Sequence, residues 1–187
     1  FMYPPVWSWF IVLVASLCFP FIYDDPLRLP LWCAYIKTPM IVADIVIGVL
    51  LFVYVGRIWD DRKALLSSTM WILNPYSIYI SAIWGMFDSI CLTFLMLSMH
   101  FLMVGRKREA GIMMGLAIGT KQYAVFTIPL LCASIMSQDD WKASLKEFLG
   151  TTVLLLISIS IPYLILEGSY YLWVASGLAS LSLDGGS

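Results

Sequence analysis

Charged residues are scarce in this chain of 187 residues, because Asp, Glu, Lys and Arg together make up only 12% of it. Soluble domains carry about 25%, so the low fraction excludes an ordinary soluble domain. The formal net charge is −1 and no basic patch is present, which argues against a nucleic acid partner. The four cysteines are scattered without a C-x-x-C pair, so we expect neither a disulfide nor a metal centre from them.

Apolar residues are correspondingly abundant, at 61% of the chain, and the mean hydropathy is +0.88. In a bilayer every backbone polar group needs an internal partner, and a helix supplies these partners within one segment. We therefore predict an all-α integral membrane protein, a polytopic transmembrane helix bundle that forms one domain over residues 1–187. A span needs roughly 20 apolar residues, and segments of about this length lie at 39–57, 64–83, 88–105 and 148–166.

Residues 110–136 fit two descriptions. One helix of this length would be ~40 Å long and would place Lys121 near the middle of the bilayer. Two short helices, 110–120 and 122–136, would instead return to the same side, with Lys121 at the outward-facing break. We favour the broken hairpin, because it keeps all the basic stretches on the cytoplasmic side, as the positive-inside rule expects.

These basic stretches lie at 57–63, 106–109 and 137–147. With the first two inside, residues 64–105 become a hairpin whose turn, near 84–88, faces outward. Residues 137–147 are then interpreted as a separate helix on the cytoplasmic surface, because Trp141, Leu145 and Phe148 share one face.

The first 36 residues are interpreted as the end of an extracytoplasmic loop. The apolar run after Pro5 is short for a span, so we predict an interfacial or re-entrant helix there, with tryptophans at headgroup depth. The chain starts at Phe1 rather than at Met, and its last residues follow a span without closing a fold. We therefore expect it to be a fragment of a larger protein.

Lys121 is the only charged residue within 110–136. A charge inside an apolar span costs ~3 kcal/mol on insertion scales and usually marks a substrate or ion site. Lys37, Asp44 and Asp88 also lie in or beside apolar segments, and the topology puts both lysines and Asp88 near the outer side. Lysines at this boundary suit an anionic phosphate headgroup. Simpler roles stay open: snorkelling for Lys37, structural pairing for Asp44, and helix capping for Asp88.

Four motifs follow one another along the chain: Tyr3-Pro4-Pro5, then Lys37-Thr38-Pro39 with Asp44 five residues after the proline, then WILNP…SAIWGMFDS, then GLAIGTKQYAVFTIP. In this order they resemble the GT-C superfamily of polyprenyl-phosphate-sugar glycosyltransferases, and within it the PIG-M-like mannosyltransferase group. The resemblance runs from Tyr3 to about Pro129. Met86 departs from the group's pattern, which commonly has Gln at this position.

The resemblance implies a multi-span helical enzyme with its site on the luminal or extracytoplasmic side. The membrane would be the plasma membrane in a prokaryote and the endoplasmic reticulum in a eukaryote. The implied reaction moves a sugar, with mannose expected, from a polyprenyl- or dolichyl-phosphate carrier, as in GPI-anchor biosynthesis. The residues expected to bind the substrate are Lys121, Lys37, Asp88, Asp44, Tyr123, Trp84 and Tyr3.

No catalytic residue is assigned, because the family's acidic motif lies upstream of the Tyr-Pro-Pro with which this chain opens. No metal ligands are assigned either. The expected partners are the lipid donor and the bilayer. A divalent cation as cofactor and a small membrane partner subunit are left open. The alternative function is a non-catalytic membrane subunit, or a transporter, that binds an anionic lipid or a small anion. Transporters usually show repeated halves with matching broken helices, and no internal repeat is visible here.

Overall fold

The computed structural model describes residues 6, 8–13, 16, 29–137 and 140–184, and all regular structure within these ranges is helical. This confirms the all-α fold class for the part of the chain that the structure describes. Within the apolar run after Pro5, where an interfacial or re-entrant helix was predicted, residues 6, 8–13 and 16 are helical. Tyr3 and residues 17–28 lie outside the described residues. The α-helices are α1 (Leu29–Ile58), α2 (Asp61–Ile72), α3 (Pro75–Ile78), α4 (Asp88–Met103), α5 (Lys107–Thr120), α6 (Ile128–Met136) and α7 (Trp141–Asp184).

Two helical segments with other hydrogen-bonding patterns lie between these α-helices. A π-helical segment, Tyr79–Trp84, continues α3, and a 3₁₀ segment, Gln122–Thr127, precedes α6. Two described stretches are long and apolar enough to cross a membrane, Ala34–Ile58 and Trp141–Pro162. A third candidate is the pair Asp61–Trp84 and Asp88–Met103, which bends by 120° between its two parts. The protein is therefore an integral membrane protein.

Helix α1 begins at Leu29, ten residues before the segment assigned from the sequence. Lys37 and Pro39 consequently lie inside the helix, whereas we expected them at its outer end. Pro39 lacks the N–H that would bond the carbonyl of Tyr35, but membrane helices tolerate such an interruption when neighbouring groups compensate. The hydroxyl of Thr38 donates to the Ala34 carbonyl at 2.8 Å, one turn earlier.

Helix α7 is also longer than expected, because it runs without interruption from Trp141. The interpretation of 137–147 as a separate surface helix is therefore wrong. No proline lies between Trp141 and Pro162 to interrupt the helix. Phe148, which we placed on one face of the predicted surface helix, is fully buried in the core. Burial of this aromatic side chain stabilises the contact between the core and the polar start of the helix.

The helices pack in the order α2, α1, α4, α5, α7, each against the next. Helix α6, which follows the 3₁₀ segment in the sequence, also contacts α7. The main core lies where α4, α5, α6 and α7 meet. Its fully buried side chains include Cys91, Met114, Ile135 and Phe148. A smaller cluster of Met40 on α1 and Phe87, just before α4, fixes the two helices to each other at one end.

The α5–α7 contact is close because glycines face it. A Cβ atom on Gly111 would lie 2.5 Å from the Phe148 carbonyl oxygen, and one on Gly115 would lie 2.9 Å from Leu155 Cδ2. Small residues four positions apart allow helix backbones to approach in this way within membranes. The Thr152 hydroxyl reaches the Gly111 carbonyl at 3.1 Å. This contact sets the position of α5, at whose end Lys121 lies.

Candidate functional site

A chain reversal between residues 74 and 89 forms one wall of the candidate site. Asn74 caps α3, since its side chain accepts a hydrogen bond from the Tyr76 N–H at 2.9 Å, and Pro75 occupies the first turn, where its missing N–H is not needed. The π-helical segment ends at Gly85, whose φ of 77° lies in the left-handed region that glycine adopts without strain. The Met86 N–H then bonds the Ile80 carbonyl at 2.9 Å. The chain thereby turns back and enters α4 at Asp88.

Lys121 occupies the break between α5 and the 3₁₀ segment. Its backbone is extended, with φ −145° and ψ 129°, while its N–H still bonds the Ala117 carbonyl at 2.9 Å. Residues 110–136 therefore do not form a single helix, because α5 ends at Thr120 and the 3₁₀ segment begins at Gln122. Because the helix stops here, the side chain leaves the α5 axis and extends toward the reversal.

The ammonium of Lys121 forms an ion pair with Asp88, with Nζ 2.5 Å from Oδ1. It also lies 5.0 Å from the centre of the Phe87 ring and 5.9 Å from that of Tyr123, within the range of cation–π attraction. The Tyr123 hydroxyl donates to the same Asp88 oxygen at 3.3 Å. Three of the residues expected to bind substrate, Lys121, Asp88 and Tyr123, are thus brought into direct contact.

Asp88 does not cap its helix, contrary to the simpler role left open above. The capping position is held by Phe87, which makes no side-chain capping hydrogen bond, and Asp88 is the first helical residue. Its carboxylate instead turns to Lys121, while the positive end of the α4 dipole favours a negative charge at this position. The side chains of Lys121 and Asp88 are 20% and 36% exposed, so a ligand can reach the pair.

Lys37 and Asp44 contact the same reversal from α1. The Lys37 ammonium donates to the Ile83 carbonyl at 2.8 Å, and the Asp44 carboxylate accepts from the Ser89 hydroxyl at 2.7 Å. Neither side chain makes an ion pair with the Lys121–Asp88 pair among the described residues. The indole of Trp84 is 63% exposed and packs edge-on against Tyr79, with ring centres 5.9 Å apart.

Two cavities flank α1. The larger, of about 320 Å³, is almost wholly apolar and reaches Thr120, the residue before Lys121. The smaller, of about 220 Å³, is lined by Asp44 and by the hydroxyls of Ser77 and Ser81 among isoleucines.

The described residues do not bring three His, Cys, Asp or Glu side chains together as a metal site. Asp88 already pairs with the Lys121 ammonium, so this carboxylate does not fit a divalent cation. Sequence reasoning missed Phe87, Ser81 and Ser89 as parts of the site. The only signal was their place in the motif SAIWGMFDS, since buried serines and phenylalanines are common in helix packing.

A family model described as Glycosyltransferase family 87 matches residues 1–184. The chain is also similar to GPI mannosyltransferase 1 of Saccharomyces cerevisiae, with 30% identity over 100 residues, which are 53% of this chain and 25% of the relative. The chain thus spans about a quarter of the length of this curated relative. No solved structure matches it.

Proposed function

Because the chain belongs to glycosyltransferase family 87, of the GT-C type, we propose that it carries the donor-phosphate site of a membrane mannosyltransferase. The sugar would come from a polyprenyl- or dolichyl-phosphate carrier and pass to an acceptor on the luminal or extracytoplasmic side. The choice of mannose, and of GPI-anchor assembly as the process, rests on the similarity to the yeast GPI mannosyltransferase 1. The site residues proposed for this role are Lys121, Asp88 and Tyr123.

The observation that carries the proposal is the position of the Lys121 ammonium. It is the only charge between Glu109 and Asp139 in the sequence, and it is partly exposed at a helix break. An ammonium in such a place suits a lipid phosphate, which sits at the boundary between the hydrocarbon and the aqueous phase. The apolar cavity beside Thr120 adds hydrocarbon-lined space next to this ammonium.

The chemistry places a specific demand on this cation. In the carrier, the phosphate joins the sugar to the lipid and has one negative charge. When the acceptor hydroxyl attacks the sugar carbon, the bond from that carbon to the phosphate oxygen breaks, and its electron pair stays on the phosphate. The leaving group therefore gains a second negative charge, and an ammonium held in a partly dehydrated place stabilises that developing charge. The proton of the acceptor hydroxyl passes to a base that we do not assign to this chain.

Asp88 and Tyr123 act on Lys121 before the donor arrives. The contacts with Asp88 and with the rings of Phe87 and Tyr123 hold the long side chain of Lys121 in one direction. A lipid phosphate would compete with Asp88 for the ammonium. Trp84 and Tyr3 stay candidates for contact with the sugar or the lipid.

The test uses the full-length protein, reconstituted in vesicles with radiolabelled dolichyl-phosphate mannose as donor. We expect Lys121→Ala to lower kcat/KM for sugar transfer by about a hundredfold, the effect of removing one group that stabilises the transition-state charge. Lys121→Arg should restore little of this loss, because a planar guanidinium does not replace a compact ammonium in a close contact.

The matched control is Lys142→Ala. Lys142 is an exposed lysine at the start of α7, near the Trp141 ring and away from the reversal, so this variant should transfer sugar normally. Normal turnover in Lys121→Ala, with normal membrane insertion, would remove Lys121 from the site. It would favour the alternative of a non-catalytic subunit or transporter for an anionic ligand.

A further inference from the structure

Helix α1 presents two oppositely charged side chains to the chain reversal. Lys37 and Asp44 are seven residues apart, which is about two helical turns, so they lie on the same side of α1. Charges in a membrane helix are expensive, and each of these two is bonded to a group within residues 79–89, which we call the reversal segment. They reach it at different points, one before and one after its tight turn at Gly85.

Lys37 holds the segment before the turn. Its ammonium donates to the carbonyl of Ile83, at the C-terminal end of the π-helical segment, where carbonyl groups lack helical partners and a cation is favoured. The lysine stem also packs on the turn itself, because a Cβ on Gly85 would lie 3.5 Å from Lys37 Cε and 3.6 Å from Cγ. The ammonium and the aliphatic stem of Lys37 thus fix the same turn.

Asp44 holds the segment after the turn through two serines. Ser89 donates its only hydroxyl hydrogen to the Asp44 carboxylate at 2.7 Å. In the contact between the Ser81 and Ser89 hydroxyls, at 2.8 Å, Ser81 must therefore be the donor. Both serines are buried. The carboxylate thus sets the direction of a hydrogen-bonded chain that joins the π-helical segment to the first turn of α4.

We propose that Lys37 and Asp44 are positioning residues, rather than substrate ligands: together they hold the reversal segment against α1 in the form that brings Asp88 to Lys121. Asp88 directly precedes Ser89, so a hydrogen bond that fixes Ser89 also fixes the start of α4 from which the Asp88 carboxylate reaches Lys121. This role differs from the direct phosphate or sugar contacts that the sequence led us to expect for both residues. Only its kinetic consequence depends on the proposed function.

The first experiment measures the mobility of the reversal segment without any assay of transfer. A spin label is attached at Trp84→Cys, an exposed position within the segment. In this full-length protein every other cysteine except the fully buried Cys91 is replaced by alanine, including Cys18, Cys33 and Cys132. Lys37→Met keeps the stem and loses the donor, and Asp44→Leu loses the acceptor, so both should give a more mobile electron paramagnetic resonance spectrum. Lys37→Arg and Asp44→Asn keep a donor and an acceptor and should preserve the native spectrum.

The control for a general effect of charge removal is Lys63→Met. Lys63 pairs with Asp60 at the start of α2, away from the reversal segment, so its loss should leave the spectrum of the label unchanged. Native elution in size-exclusion chromatography selects the variants that are folded. An unchanged spectrum in folded Lys37→Met and Asp44→Leu overturns the proposal.

The second experiment measures transfer kinetics in the same variants with native Trp84. Lys37→Met and Asp44→Leu should each lower kcat by about tenfold, the effect of losing one hydrogen bond to a charged group, with little change in the donor KM. The two conservative variants should retain most activity. If the residues bound the donor directly, Asp44→Asn would fail as badly as Asp44→Leu and the donor KM would rise, which would also overturn the proposal. If the full-length wild-type protein transfers no sugar, the proposed function fails, and the spectra alone then decide the positioning role.

Discussion

Replacing Gly111 by alanine tests the close contact between α5 and α7. The added methyl group would lie 2.5 Å from the carbonyl oxygen of Phe148 and 2.8 Å from Thr151 Oγ1. The hydroxyl can move by a rotamer change, but the carbonyl belongs to the backbone of α7 and cannot. Ordinary contact begins near 3.4 Å, so the two helices would have to separate by roughly 0.9 Å, and separation of packed elements is destabilising.

Three effects combine in the expected magnitude. Overpacking of this kind costs about 1–3 kcal/mol. The Thr152 hydroxyl lies 3.1 Å from the Gly111 carbonyl oxygen and 2.8 Å from that of Phe148. It keeps an acceptor when the helices separate, so its lost contact with Gly111 adds at most about 1 kcal/mol. Alanine is the better helix former by about 1 kcal/mol, which acts in the opposite direction. We therefore expect Gly111→Ala to lower the free energy of unfolding by about 2 kcal/mol. Gly115→Ala should lower it less, because its nearest neighbour, Leu155 Cδ2, is the end of a flexible side chain.

The assay is thermal unfolding of the detergent-solubilised full-length protein, followed by far-UV circular dichroism. The matched control is Gly150→Ala in α7, where a Cβ would meet nothing within 4 Å. This control should unfold at the wild-type temperature or slightly above it, because only helix propensity changes. A wild-type melting temperature for Gly111→Ala, or equal destabilisation by Gly150→Ala, would contradict the proposed close contact between α5 and α7.

Two further predictions concern the site and the start of α2. Tyr123→Phe keeps the ring beside Lys121 but loses the 3.3 Å hydrogen bond to Asp88, so transfer should fall by only about fivefold. A loss as large as that of Lys121→Ala would mean that the hydroxyl contacts substrate directly. The N–H of Lys63, donating to the Asp60 carboxylate, holds the pKa of Asp60 below its ordinary value of 3.8. A lowered folded pKa stabilises the fold above 3.8, and this contribution is lost as the pH falls through the folded value. Wild type should therefore melt at a higher temperature than Asp60→Ala at pH 6, and this difference should shrink at pH 3. Asparagine is an equally good cap, so Asp60→Asn should exceed Asp60→Ala by the same amount at both pH values. Equal shrinkage of the two differences at pH 3 would contradict this assignment.

Composition was sufficient to predict the fold class and, with the motifs, the family. Hydropathy identifies apolar segments because the bilayer demands them, and both the helical membrane fold and the resemblance to the GT-C enzymes are confirmed. Helix ends were predicted less well. The run before Pro39 was assigned to a loop, and the polar residues from Trp141 were assigned to a separate helix, because hydropathy reports the depth of a residue and not the continuity of its backbone.

The candidate site shows the same division between what a sequence can and cannot reveal. Lys121 and Asp88 stood out because charges in apolar segments are costly, and their place in the motifs suggested a common site. Their pairing across 33 positions is a tertiary contact that no local pattern contains. Ser81 and Ser89 could not be singled out, since serine is ordinary in membrane helices. Only the structure shows that Ser89 donates to Asp44, which changes the role we propose for that carboxylate.

The pairing of Lys121 with Asp88 has a consequence for catalysis on the proposed mechanism. A donor phosphate with one negative charge must compete with a carboxylate for the same ammonium, so the ground state gains little from the exchange. As the bond to the sugar breaks, the phosphate gains a second charge and competes better, whereas the carboxylate is unchanged. The ammonium then binds the transition state more strongly than the substrate, which is the condition for a contact to raise kcat. The contact between α1 and the reversal segment positions Asp88, and the glycine contact of α5 with α7 positions Lys121. This selectivity therefore depends on two interfaces, one for each residue of the pair.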